Sequence, residues 1–264
     1  MPGINTSNVP NGIVKLSTVE DTLPCIITDT FDRYTSVTAP NGKPIHLLAQ
    51  PGWSDDQISK ARNVLAHMLT DHPGSRFGDD KSAVANAIAD RHGAMVLFDD
   101  EDQLNKHIDA LEKMTDLNMQ DLRANEAPAE GSPDYMAHAT RDASFEEILH
   151  FVQDYGIRPA LPEYDAALMR ANLAAVARGA WDPWPADEHE SHHNEYYAVV
   201  YDNYLDLWKI KPTLYEGRPI SNGEIPQGQS HFGAYRLADS REGVAKNDED
   251  GFELVEGFFQ PYLT

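Results

Sequence analysis

Residues 144–156 read Ser-Phe-Glu-Glu-Ile-Leu-His-Phe-Val-Gln-Asp-Tyr-Gly. On a helix, positions i and i+4 lie on one face. Glu146 and His150 therefore point the same way, as two ligands of one ion must. Glu147 stands where a His-Glu-x-x-His helix keeps its general base, between two metal ligands four residues apart. Phe145, Leu149 and Val152 fall on another face and suit a core. Such a centre needs a third protein ligand and an open position for water. Glu195 is the candidate. It follows His150 by 45 positions and opens the helical pattern Asn194-Glu195-Tyr196-Tyr197-Ala198-Val199-Val200-Tyr201. The single cysteine, Cys25, cannot build a thiolate site and reads as a buried, inert thiol, so any metal falls to His, Asp and Glu.

Plainer readings compete. Glu147 lies three residues after Ser144, which is the spacing of a capping box. Glu146 suits an exposed first helical turn, where the helix dipole favours an acid. His150 by itself reads as a satisfied, partly buried histidine. The conjunction with Glu195 lifts the set above these. A second cluster, Glu188-His189-Glu190-Ser191-His192-His193, is rich in ligand types. Glu190-x-x-His193 with Glu147-x-x-His150 echoes the paired motifs of di-iron helical bundles. It ranks lower, because Pro183 and Pro185 mark a loop and the first half of the chain has strands where a bundle would need long helices. A solvated loop is its plain reading. Trp53, Trp181, Trp184 and Trp208 read as packing anchors, and Trp181–Trp184 lie where they could line a cleft. The chain has no Gly-rich phosphate loop and no Gly-x-Ser-x-Gly elbow.

The elements that must position these residues follow from periodicity. Residues 1–42 read as an irregular lead-in with one or two short strands, Cys25 to Thr28 among them. Ile45–Ala49 and Ala94–Phe98 are buried strands. Between them, Ser54 and Gln57 form a capping box for a helix with Ile58, Ala61, Val64, Leu65 and Met68 at helical spacing. A short helix spans 82 to about 91, and an exposed one spans 101–114. Residues 122–137 read as loop with an edge strand at most. Helices follow at 144–155 (closed by Gly156), 164–178 (closed by Gly179) and from 191 or 194 to 208. The tail, 209–264, reads as loops with a few strands packed on the body.

Glu146-Glu147-Ile148-Leu149-His150 followed by Glu195-Tyr196-Tyr197-Ala198 resembles the catalytic domain of anthrax lethal factor-like zincin metallopeptidases. The strand–helix–strand order over 45–98 is similar to the upper half of zincin domains. The likeness covers roughly residues 43–208. It implies an α+β, zincin-like fold: a small sheet with helices above, and a helical lower half carrying the motif. Three regions result: the lead-in at 1–42, the metal-binding domain at 43–208 and an extension at 209–264. The resemblance further implies Zn²⁺ held by Glu146, His150 and Glu195, with Glu147 polarising a water that attacks a peptide carbonyl. The family steadies the oxyanion with a Tyr or His. Just before Glu195 this chain has no Tyr, and His189, His192 and His193 are the residues on offer, His192 or His193 first among them. The first ligand is Glu where the family has His. The added oxygen donor shifts preference toward harder ions such as Mn²⁺, Mg²⁺ or Ca²⁺.

The expectation is a metal-dependent peptidase acting on a peptide or protein. The alternatives are a zincin-like module that binds without catalysing, and a di-metal carboxylate oxidoreductase. The net charge of −22, from 43 acids and 21 bases, argues against nucleic acid and anionic membranes as partners. No run approaches the roughly 20 apolar residues of a membrane span. Residues 1–15 lack the pattern of a signal peptide, which points to the cytosol unless a leader was removed. The apolar ending Pro261-Tyr262-Leu263-Thr264 hints at truncation.

Overall fold

The computed structural model describes residues 3–7, 9, 11–19, 23–182, 192–209, 212–215, 218–219 and 235–262. Five strands pair in chain order: β1 (Val14–Lys15), β2 (Arg33–Thr38), β3 (Pro44–Ala49), β4 (Gly93–Phe98) and β5 (Asn118–Arg123). β1, β2 and β3 are antiparallel neighbours, whereas β3, β4 and β5 run parallel. Successive side chains on a strand point to opposite faces. Ile45, Leu47, Met95, Leu97 and Leu122 therefore enter one core, and Tyr34, Leu48, Ala94, Val96 and Phe98 enter another. A sheet buried on both faces explains why β4 is apolar throughout.

The helices are α1 (Cys25–Thr30), α2 (Asp55–Met68), α3 (Ser82–Asp90), α4 (Glu101–Met114), α5 (Pro133–Ala137), α6 (Ser144–Val152), α7 (Arg158–Ala160), α8 (Pro162–Ala177), α9 (His192–Tyr204), α10 (Arg241–Asn247) and α11 (Glu249–Glu256). Among the described residues, β6 (Leu214–Tyr215) and β7 (Arg218–Pro219) form a separate antiparallel pair. α2, α3 and α6 contribute to the first core, and residues of α1 and α4 to the second. This is an α+β fold, a mixed five-stranded sheet with flanking helices. Among the described residues no helix is long and apolar enough to cross a membrane.

The Ser54–Gln57 capping box forms as expected. Five expectations need correction. Residues 122–137 hold more than loop and edge strand, because Ser132 caps α5 at Pro133–Ala137. Cys25 to Thr28 is helix: Pro24 opens α1, and Ile27 is buried in the core shared with α4. That burial overrides the β preference of Ile-Ile-Thr. Cys25 itself is exposed rather than buried. Gly156 does not end the helix carrying the motif. α6 runs into a π-helical turn, Gln153–Ile157, and on into α7. Glycine is needed there for close approach, since a Cβ at 156 would come within 2.7 Å of Val84 Cγ1 and 3.0 Å of Ile88 Cδ1. The tail is partly helical. Gly251, Leu254, Val255 and Phe258 are buried at helical spacing, and α11 packs on α8 and α9.

Candidate metal centre

α6 lies among α2, β5 and α9 and buries every residue except Glu147. Its start is anchored from outside. Lys60 of α2, itself buried, donates to the Pro128 carbonyl at 2.8 Å and pairs with Asp142. Asp142 in turn accepts from the Ser144 backbone N–H at 3.1 Å. Ala143 is the N-cap and makes no side-chain cap, and Ser144 is already the first helical residue, so the capping-box reading of Ser144 and Glu147 is wrong. The Glu147 carboxylate instead accepts from Gln120 Nε2 of β5 at 2.8 Å. Nor is Glu146 an exposed first-turn acid, for it is only 7% exposed.

α9 is fixed by its tyrosines. Tyr196 donates to Asp248 Oδ2 at 2.8 Å, and Tyr235 donates to the same oxygen at 2.9 Å. The Tyr197 and Tyr164 hydroxyls lie 2.6 Å apart, and Tyr164 donates to the Leu254 carbonyl at 2.6 Å. These bonds tie α9 to α8 and to the C-terminal helices, and so set where Glu195 stands.

The two helices bring Glu146, His150 and Glu195 together. One ligand atom from each lies within 4.8 Å of the others, and among the described residues this is the one such group of three. His150 Nε2 faces Glu195 Oε2 at 3.6 Å. Two ligands held at about 2.0–2.2 Å around a tetrahedral ion sit about 3.3–3.6 Å apart, so this pair already has the spacing of shared coordination. His150 Nε2 is buried and makes no hydrogen bond with the described residues. Among the described residues it is engaged by the charge of Glu195 rather than by a hydrogen bond, which leaves it under-satisfied for its burial. One nitrogen and two carboxylates form a donor set that fits a divalent ion.

Charge is balanced locally. Burial alone would push the His150 imidazole down, but the carboxylates of Glu195 and Glu147 hold it up at about 9. The imidazolium thus supplies a positive charge, and coordination requires loss of that proton. Arg141 supplies a second positive charge by pairing with Glu146. Partial removal from water would raise Glu147, yet its contacts with His150 keep it below the usual carboxylate range. Glu147 Oε2 faces His150 Nδ1 at 3.7 Å, on the ring nitrogen opposite the one facing Glu195. Asp121, next to Gln120 on β5, is pushed up to about 6 by burial and by Glu147.

His193 is buried two residues before Glu195, but its Nε2 lies 3.0 Å from Asp165 Oδ1 and 3.2 Å from an Arg158 nitrogen. His192 begins α9, and its side chain lies outside the described residues, as do Trp184, Glu188, His189 and Glu190. Trp53 and Trp181 are buried anchors, as expected, and Trp208 lies beyond the end of α9. Sequence reasoning missed Arg141, Gln120, Asp121 and Asp202. The one available signal for Arg141 was its position five residues before Glu146, a basic residue just ahead of an acidic motif. No protein-family model matches the chain, and no curated protein or solved structure matches it.

Proposed function

We propose that the chain is a zincin-like, metal-dependent hydrolase, most simply a peptidase, with Glu146, His150 and Glu195 holding Zn²⁺ or another divalent ion. The buried, hydrogen-bond-free Nε2 of His150 facing Glu195 at 3.6 Å carries this reading. A divalent ion there would supply Lewis acidity and lower the pKa of a water toward about 7. Glu147, kept ionised beside His150, would take the proton of that water and pass it to the leaving amine. Gln120 orients the Glu147 carboxylate. His192 and His193 are the proposed oxyanion donors, and His193 would have to share its ring with Asp165.

One observation favours a second reading, a zincin-like module that binds metal without catalysis. Glu147 faces Nδ1, where a carboxylate orients a metal-bound histidine from behind. A Glu147→Gln variant separates the two. In the hydrolase reading it keeps its metal by elemental analysis and loses cleavage of a denatured protein substrate by at least a hundredfold. In the binding-module reading, metal affinity falls about 10–100-fold and the wild type cleaves nothing. Two irons per chain would point to the di-metal oxidoreductase, and wild-type cleavage undiminished in Glu147→Gln would remove Glu147 from the chemistry.

A further inference from the structure

Arg141 and Asp202 line a single cavity of about 110 Å³, together with Phe145 and Trp208. On one side Arg141 pairs with Glu146 of the metal cluster. Asp202, on α9, is 2% exposed. Its Oδ2 accepts from Trp208 Nε1 at 3.2 Å. Its Oδ1 is buried and takes no hydrogen bond from the described residues. A buried carboxylate oxygen without a donor is costly, and a cation brought to it would relieve that cost. Burial raises the Asp202 carboxyl to about 7, against the pull of Arg141. Asp142, also lining the cavity, is occupied by Lys60. Arg141 therefore has two buried carboxylates near it, and it pairs with the one that the cation also needs.

We propose that Arg141 is a displaceable counter-ion: it holds Glu146 while the cluster lacks a metal, and turns across the cavity onto Asp202 Oδ1 when Glu146 coordinates one. Asp202 is then a positioning residue for metal binding, although it is not itself a ligand. The inference rests on the cluster being a metal site and is independent of hydrolysis. A guanidinium and a divalent ion on one buried carboxylate repel strongly at low dielectric. The cavity supplies room for the side chain to move, and Asp202 supplies the acceptor. Each carboxylate ends with a cation of its own, which limits the penalty of a buried unpaired charge.

The test is zinc titration of the full chain against a chromogenic chelator. Asp202→Asn should bind zinc about tenfold more weakly, because Arg141 has lost its alternative partner. Arg141→Met should bind about tenfold more tightly, because the competitor for Glu146 is gone. Adding Asp202→Asn to Arg141→Met should change nothing further, a coupling that a merely structural role would not produce. Arg141→Lys should stay near wild type. A measurement without variants is the Trp208 indole N–H resonance, which donates to Asp202 and should move when zinc is added. An unchanged affinity in Asp202→Asn, an equal loss in both backgrounds or a static Trp208 resonance would each overturn the inference while leaving the metal site standing. A wild type that binds no zinc would overturn both.

Discussion

The sheet and the α6–α9 pair are both buried, but they bury different chemistry. β4, Gly93–Phe98, is buried at every position and holds only apolar residues and glycine. α9 buries Tyr196, Tyr197, Tyr201 and Tyr204 and with them His193, Asp202 and Asn203. Buried polar atoms without a hydrogen bond from the described residues follow the same division. Ser144 and His150 in α6 and Asn194, Tyr201, Asp202, Asn203 and Tyr204 in α9 contribute such atoms, whereas Arg33 is the one contributor in β1 to β5. The sheet is stable by removing apolar surface from water. The helical pair keeps polar groups that a core of its size does not need and that cost stability where they stand. Polarity retained against that cost is what a binding site would require, and it distinguishes the helical pair from the sheet.

The contrast can be broken most forcefully from the sheet side. Leu97→Ala, at a fully buried position of β4, should lower unfolding stability by about 2–5 kcal/mol in urea titrations. Zinc affinity of the folded fraction should not change, and a coupled loss of affinity would mean that scaffold and site are not separable. On the helical side, zinc at a hundred times its Kd should stabilise the wild type by about 2.7 kcal/mol, read as a rise in the thermal midpoint. His150→Ala should show no such gain. A gain equal to wild type would place the ion elsewhere.

The smallest effect concerns Lys81, a buried charge outside the site that sharpens the same distinction. Its Nζ donates to the Met68 carbonyl at 2.9 Å and lies 4.4 Å from the centre of the Phe258 ring. Burial lowers it from 10.5 to about 7. Below about 7 the folded and unfolded chains both carry the proton, and this group adds no pH dependence. Above that value the unfolded chain binds a proton that the folded one lacks, so stability rises with pH until about 10.5. Relative to Lys81→Met, the wild type should gain about 1 kcal/mol between about pH 7 and 8. A flat difference would show that the ammonium is solvated after all.

Much of the frame was legible along the chain. The alternating and continuous apolar runs at 45–49 and 94–98, the Ser54 cap and the Glu146–His150 repeat each depend on neighbours within one turn or one strand. The pairing of Glu195 with His150 was also legible, because an acid opening a tyrosine-rich helix is an unusual pattern. The α10–α11 segment was missed because its charges and glycines obscured a helical spacing that only packing on α8 and α9 makes decisive.

By itself, then, the sequence determined which side chains can share a helix face, where strands and caps fall, and that any metal must be held by oxygen and imidazole nitrogen. These depend on covalent spacing and intrinsic preference. Only the tertiary structure decided that Glu147 meets Gln120 instead of capping its helix, that Arg141 covers Glu146, and that Asp202 stands buried beside the same cavity. Those partners lie in separate elements or at positions no periodicity links, and what joins them is the exclusion of water from a packed interior, which leaves each charge to find its partner through space.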